Sequence, residues 1–161
     1  MEILKETVQS PVILKEVYGD LAKPGAQQAG KALSTVIGFG NTLLWPIALL
    51  NEKAKIALES NLNKYREKLK DTPDEQICEV APEVGVPIVD KLAYVTNETL
   101  SDMYTELVAK ASQNHTINMA HPGFVNIINN LSPDEAVLIK SVRHMNGIPF
   151  IDVRLKLKTK N

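Results

Sequence analysis

The side chains able to do chemistry are few. The chain holds three histidines, His115, His121 and His144, and one cysteine, Cys78. His115 and His121 stand six residues apart in the polar stretch "SQNHTINMAHPG", a spacing that does not put both on one helix face. A zinc site needs about four ligands close together. Cys78 is remote from the histidines in sequence, so neither a metal ion nor a cofactor is expected. Without a neighbouring histidine to take its proton, Cys78 reads as a structural thiol rather than a nucleophile. Asp134 and Glu135 are adjacent acids that could exchange protons with a substrate, but "SPDE" over 132–135 gives them another role. Ser132 is placed to cap a helix, Pro133 to fill its first position, and Glu135 to reach back to the cap's own N–H. Both carboxylates then face the positive end of the helix dipole. Gly38-Phe39-Gly40 lacks the third glycine and the preceding strand of a phosphate-binding loop.

The elements that would position these groups are mostly helices. Residues 1–22 read as an arm or short helix, 23–147 as a helical domain, and 148–161 as a strand with a basic tail. After Lys23-Pro24-Gly25, the small residues Ala26, Gly30, Ser34 and Gly38 recur every four positions, with Thr42 continuing the row. That row predicts a helix face that another helix approaches closely, and Pro46 should end or kink the helix near Trp45.

From Ala32 to Leu50 there are 19 uncharged residues, close to the ~20 of a spanning helix. Nine of them are Leu, Ile, Val or Phe, worth together roughly −3 to −5 kcal/mol at a bilayer centre. The polar residues and the proline offset most of this. A buried helix pair leads, with a membrane-surface segment or a true span as open alternatives. In those alternatives Val36, Ile37, Phe39, Leu44 and Trp45 meet lipid or a partner.

A second helix is expected to run to about Lys70. Leu50, Ala54, Ala57, Leu58, Leu62, Tyr65 and Leu69 lie on one side of it, and the charges of "KYREKLKD" form a solvated face. Pro82 can start a third helix, with Pro87 at a kink or marking a later start. Asn97 or Thr96 caps a fourth, whose Leu100, Met103, Tyr104, Leu107, Val108 and Ala111 keep helical spacing. A short helix follows Pro122, with Phe124, Ile127, Ile128 and Leu131 on one stripe, and Phe124 and Tyr104 are expected in the core. The helix opened by "SPDE" should reach about Met145. In "IPFIDVRLKLKTKN" the apolar residues alternate with charged ones, the period of a half-buried strand, and its lysines suit an edge that resists aggregation. The fold class is therefore mainly α: a multi-helix bundle with a single C-terminal strand, completed by further chain or by a partner.

Composition excludes little more. A net charge of −1 creates no global pull toward nucleic acid or anionic membrane. A single cysteine fits a reducing compartment, and the N-terminus lacks the basic region and unbroken apolar core of a secretion signal. A cytoplasmic location is expected, with membrane association open.

The stretch "VPIVDKLAYVTNETLSDMYTELVAKASQNHTINMAHPGFVNIINNLSPDEAVLIKSV" resembles the bacterial and phage-associated Abi-alpha (abortive infection alpha) family. The resemblance spans roughly residues 45 to 155 and rests most on "LVAKAS", "AHPGFVNIINNLSPDEA" and "IPFIDVRL". Members typically continue beyond "IDVRL", which agrees with an orphan strand. The resemblance implies phage defence by abortive infection and brings no catalytic residues. Because the pair His121-Pro122 belongs to the family pattern, the resemblance also implies that His121 caps or orients the turn before Pro122. An arginine four to six residues ahead of a histidine, the pair used by several helical antiviral ribonucleases, is absent: Arg143 and His144 are adjacent.

The leading expectation is a non-enzymatic helical interaction module. Its partner is an unknown protein or a second copy, with a membrane as an alternative and no nucleic acid expected. The alternative functions are a membrane effector inserting residues 26–50 and an enzyme, such as a nuclease, whose site lies in further C-terminal sequence.

Overall fold

Charged and apolar residues alternating at helical spacing wind the longest described helix, α2 (Glu52–Leu69). The computed structural model describes residues 25–36, 52–145 and 147. The N-terminal arm, Pro24, the uncharged stretch beyond Val36, and the expected strand lie outside the described residues. A short helix, α1 (Ala26–Ala32), precedes α2. It is followed by α3 (Pro82–Leu92), α4 (Glu98–Ala111), α5 (Gly123–Asn129) and α6 (Pro133–Val142). The described part is mainly helical. Its only β pairing is an isolated antiparallel bridge between Ile77 and Gln113.

Helix α4 is the centre of the bundle, in contact with α2, α3, α5 and α6. The Asn97 side chain caps it by accepting from the Leu100 N–H at 3.1 Å. Enclosure on several sides buries Ser101, Thr105 and Ser112 as well as the expected Tyr104, Leu107, Val108 and Ala111. Two of these hydroxyls turn back on their own helix: Thr105 donates to the Ser101 carbonyl at 2.9 Å and Ser112 to that of Val108 at 2.6 Å. Ser112 is left to accept from the buried Tyr65 hydroxyl. Burial pushes that phenol's pKa up, so it stays protonated and remains a donor.

The buried row of α2 is Ala54, Leu58, Asn61, Tyr65 and Leu69. All but Asn61 belong to the expected apolar side. Pro82 opens α3, and Pro87 sits inside the helix rather than starting it. The Glu83 carbonyl that loses its helical donor at Pro87 belongs to an exposed residue, where water can replace the bond. The segment after the Asp71–Asp74 turn ties distant elements together. Cys78 donates its N–H to the Ser112 carbonyl and Val80 to that of Ala32, each at 2.9 Å.

Among the described residues the small-residue row near the N-terminus is not the contact face; Gly38 and Thr42 lie outside them. Ala26 and Gly30 are half-buried and Ser34 is exposed, while Ala29, Ala32, Leu33 and Val36 enter the core. The close approach is made by other glycines. A Cβ at Gly85 in α3 would lie 2.3 Å from Val36 Cγ2, so the missing side chain is what admits Val36. Val36, expected either in a buried pair or against lipid or a partner, is 1% exposed and lies on Gly85.

Candidate functional site

The outer face of α4 carries Asp102, Met103, Glu106, Leu107 and Lys110, spaced to form one stripe. Two short helices stand beside it. His121 sets the first: its Nδ1 accepts from the Gly123 N–H at 2.9 Å, and its ring meets the Phe124 ring edge-on at 6.5 Å between centroids. The Tyr104 hydroxyl then donates to Asn129 Oδ1 at 2.7 Å and holds the far end of α5 on α4. Pro122 lies exposed at the helix start.

The second helix, α6, begins with a complete capping box. Ser132 Oγ accepts from the Glu135 N–H, and Glu135 Oε2 accepts from the Ser132 N–H at 2.8 Å. Pro133 holds the first turn and Asp134 is exposed beside it. The Ser132 backbone N–H, then its hydroxyl, hold the Glu135 carboxyl below its ordinary pKa. Ser132→Ala should lower stability by about 1 kcal/mol, the usual worth of an N-cap. Thermal melting checks this, and an unchanged midpoint would contradict it. Helix α6 ends at Val142, short of Met145, whose N–H bonds back to the Val142 carbonyl at 2.9 Å.

Between α4, α5 and α6 lies an open groove of about 670 Å³. Its floor is apolar: Leu107 and Met103 from α4, Phe124, Ile127 and Ile128 from α5, and Ile139 from α6. This corrects the expectation that Phe124 is a core residue. It is 46% exposed, and the buried residue of α5 is its neighbour Val125. A seven-residue helix packed against α4 and α3 buries only the side that meets them, so the rest of its apolar stripe becomes the groove wall. The same reason leaves Val137, Leu138 and Ile139 exposed on α6 while Ala136 is fully buried. Sequence reasoning missed this site because an apolar stripe reads alike whether it faces a core or a cleft. The available signal was the consecutive run Val137-Leu138-Ile139, which cannot point all one way on a helix.

Charges rim the groove. Lys68 and Lys110 both pair with Glu106, at 3.1 and 3.4 Å, and Lys140 pairs with Asp102 at 3.3 Å. Partial burial works to raise the Glu106 pKa, but the hydrogen bonds and charges of Lys68 and Lys110 outweigh it and hold the carboxyl below its ordinary value. A lowered folded-state pKa means that the contribution is present above the unfolded value and lost as pH falls through the folded one. Glu106→Gln should therefore lose less stability than the parent chain between neutral pH and the acid end of the carboxylate range, by denaturant titration. The difference is small, because Glu106 is half-exposed and water screens the pairs.

The remaining candidates have structural partners. The Cys78 thiol is half-buried, which pushes its pKa up, and lies 3.6 Å from the Ala111 carbonyl. A raised pKa leaves less thiolate at neutral pH. Arg143 Nε donates to His144 Nε2 at 2.8 Å. Among the described residues no cluster of histidine, cysteine and acid side chains could hold a metal ion. No described helix is long and apolar enough to cross a membrane. Ile37, Phe39, Leu44 and Trp45 lie outside the described residues.

The family model described as abortive infection alpha matches residues 55–161, well over half of the chain. The chain belongs to this family. The match begins inside α2, ten residues later than the resemblance read from sequence, and takes in every residue that lines the groove. The family's name points to abortive infection, a form of phage defence. No curated protein and no solved structure matches the chain.

Proposed function

We propose that this member of the abortive infection alpha family is a non-enzymatic interaction module of phage defence, with the groove between α4, α5 and α6 as its docking site. The observation that carries the reading is the open apolar floor. Phe124, Ile127 and Ile139 are 46, 53 and 43% exposed side by side. Exposed apolar patches on a protein surface mark interaction sites when they are contiguous and bordered by polar groups. Two further observations support it. His121 Nδ1 and the Glu135 carboxylate are engaged in opening helices, and Cys78 has its pKa raised by burial. The partner is a protein rather than a nucleic acid: the rim cations are interleaved with acids and set around a floor that is aliphatic except for the one ring of Phe124, not along a platform of successive stacking rings.

The test is phage challenge of cells expressing the chain, in parent form and as Ile127→Asp. Protection should be lost in the variant while its melting temperature stays within a few degrees of the parent, because Ile127 is half-exposed. The reading fails if the purified protein cleaves RNA, DNA or a nucleotide and a point mutation removes both cleavage and protection.

A further inference from the structure

The groove also specifies the chemistry of its occupant. We infer that it takes an amphipathic helix bearing an apolar stripe flanked by carboxylates; this rests on the docking reading above. The helical form follows from the walls. Helices α4, α5 and α6 spend their interior backbone groups on themselves, and among the described residues no strand edge opens onto the groove. An extended guest would lay unpaired N–H and C=O groups on an apolar floor, which costs free energy that a helix avoids by bonding internally.

The size agrees. The lined part of α4 runs from Thr99 to Lys110, about 16 Å at the rise of an α-helix. That is three turns of guest, enough to set apolar side chains at i, i+3, i+4 and i+7 over Leu107, Ile127 and Ile139.

The sign comes from the rim. Among the described residues, four cations, Lys68, Lys110, Lys140 and Arg143, stand against two carboxylates, Asp102 and Glu106. Lys68 and Lys110 share the single charge of Glu106, and Arg143 faces a histidine rather than an acid. The rim therefore keeps a surplus of two positive charges (four minus two) around an apolar floor, on a chain whose net charge is −1. A guest with acids beside its apolar stripe completes those pairs, and one with lysines there meets like charge.

The experiment uses the whole chain and three probes: a labelled synthetic helix of about 14 residues with leucines at the four stripe positions and glutamates beside them, the same peptide with lysines for the glutamates, and sodium oleate. Fluorescence anisotropy at low and high salt should show the acidic peptide binding at least about tenfold tighter than the basic one, with the preference shrinking as salt rises. Arg143→Glu removes the positive surplus at an exposed position, so it should narrow the preference while leaving the melting temperature within a few degrees of the parent. Ile127→Asp should abolish binding of both peptides.

If the basic peptide binds as well as the acidic one, and Ile127→Asp still abolishes it, the charge assignment is overturned while the docking reading stands. If neither peptide binds, the inference is overturned. Oleate binding lost in Ile127→Asp would then identify a small-amphiphile site, and no binding of any probe counts against the docking reading too. A concentration-dependent dimer of the parent that Ile127→Asp dissociates, seen by sedimentation, would make a second copy the occupant and overturn the inference.

Discussion

Asn61→Ala should destabilise the protein by about 3 kcal/mol, from the loss of buried hydrogen bonds at roughly 1–3 kcal/mol for each group left unpaired. Asn61 is 4% exposed in the middle of the apolar row of α2. Its Nδ2 donates to the Leu92 carbonyl at 2.7 Å and to the Val95 carbonyl at 3.3 Å, and its Oδ1 accepts from Ser101 Oγ. One amide thus ties α2 to the end of α3 and to α4. Alanine would leave the Leu92 carbonyl without its side-chain donor at a position closed to water, since Leu92 is 0% exposed. Ser101→Ala should cost less, about 1 kcal/mol, because it strands only one acceptor. The double variant should cost less than the sum, as expected for members of one network. Urea denaturation midpoints measure all three, and a loss below about 1 kcal/mol for Asn61→Ala would mean that the network contributes no more than an average hydrogen bond. The groove depends on this tie, because α4 supplies part of its floor and the Asn97 cap comes two residues after Val95.

Gly25→Ala is the second large effect, for a steric reason. Gly25 precedes α1 with φ of 75°, in the left-handed region. A Cβ there would stand 2.2 Å from the backbone oxygen of Arg66 in α2. The left-handed conformation alone costs a non-glycine residue roughly 1–2 kcal/mol. The clash is with helix backbone rather than a movable side chain, so α1 must shift off α2, and overpacking of that kind costs about 1–3 kcal/mol. A loss of about 3 kcal/mol is expected from the two costs together, with increased proteolysis near α1. Gly147→Ala is the control: nothing lies within 4 Å of its Cβ position, so its melting temperature should match the parent. Equal effects at the two glycines would contradict the contact with Arg66.

Much of the helical frame was legible in the residues because its causes are local. Asn97 and Ser132 announce α4 and α6 through side-chain bonds that reach only three residues along the chain. Pro82 opens α3 for the same reason, and the spacing of Leu58, Tyr65 and Leu69 gives α2 its inner side. Capping and periodicity need no partner to be read.

What lies opposite each stripe is decided only in three dimensions. Phe124 and Ile127 have the spacing of core residues yet wall a groove, because α5 touches the bundle along one side alone. Asn61 is polar and so stands apart from the apolar row in sequence, yet it is buried because the carbonyls of Leu92 and Val95 come to meet it. The row of small residues at Ala26, Gly30 and Ser34 suggested a close helix contact, but the contacts that need glycine are at Gly25 and Gly85. The amino-acid sequence set where helices begin and which residue types share a side, since those follow from bonds within one or two turns. Which sides are covered, and so where the open apolar floor and its positive rim arise, depended on how elements distant in the chain pack together.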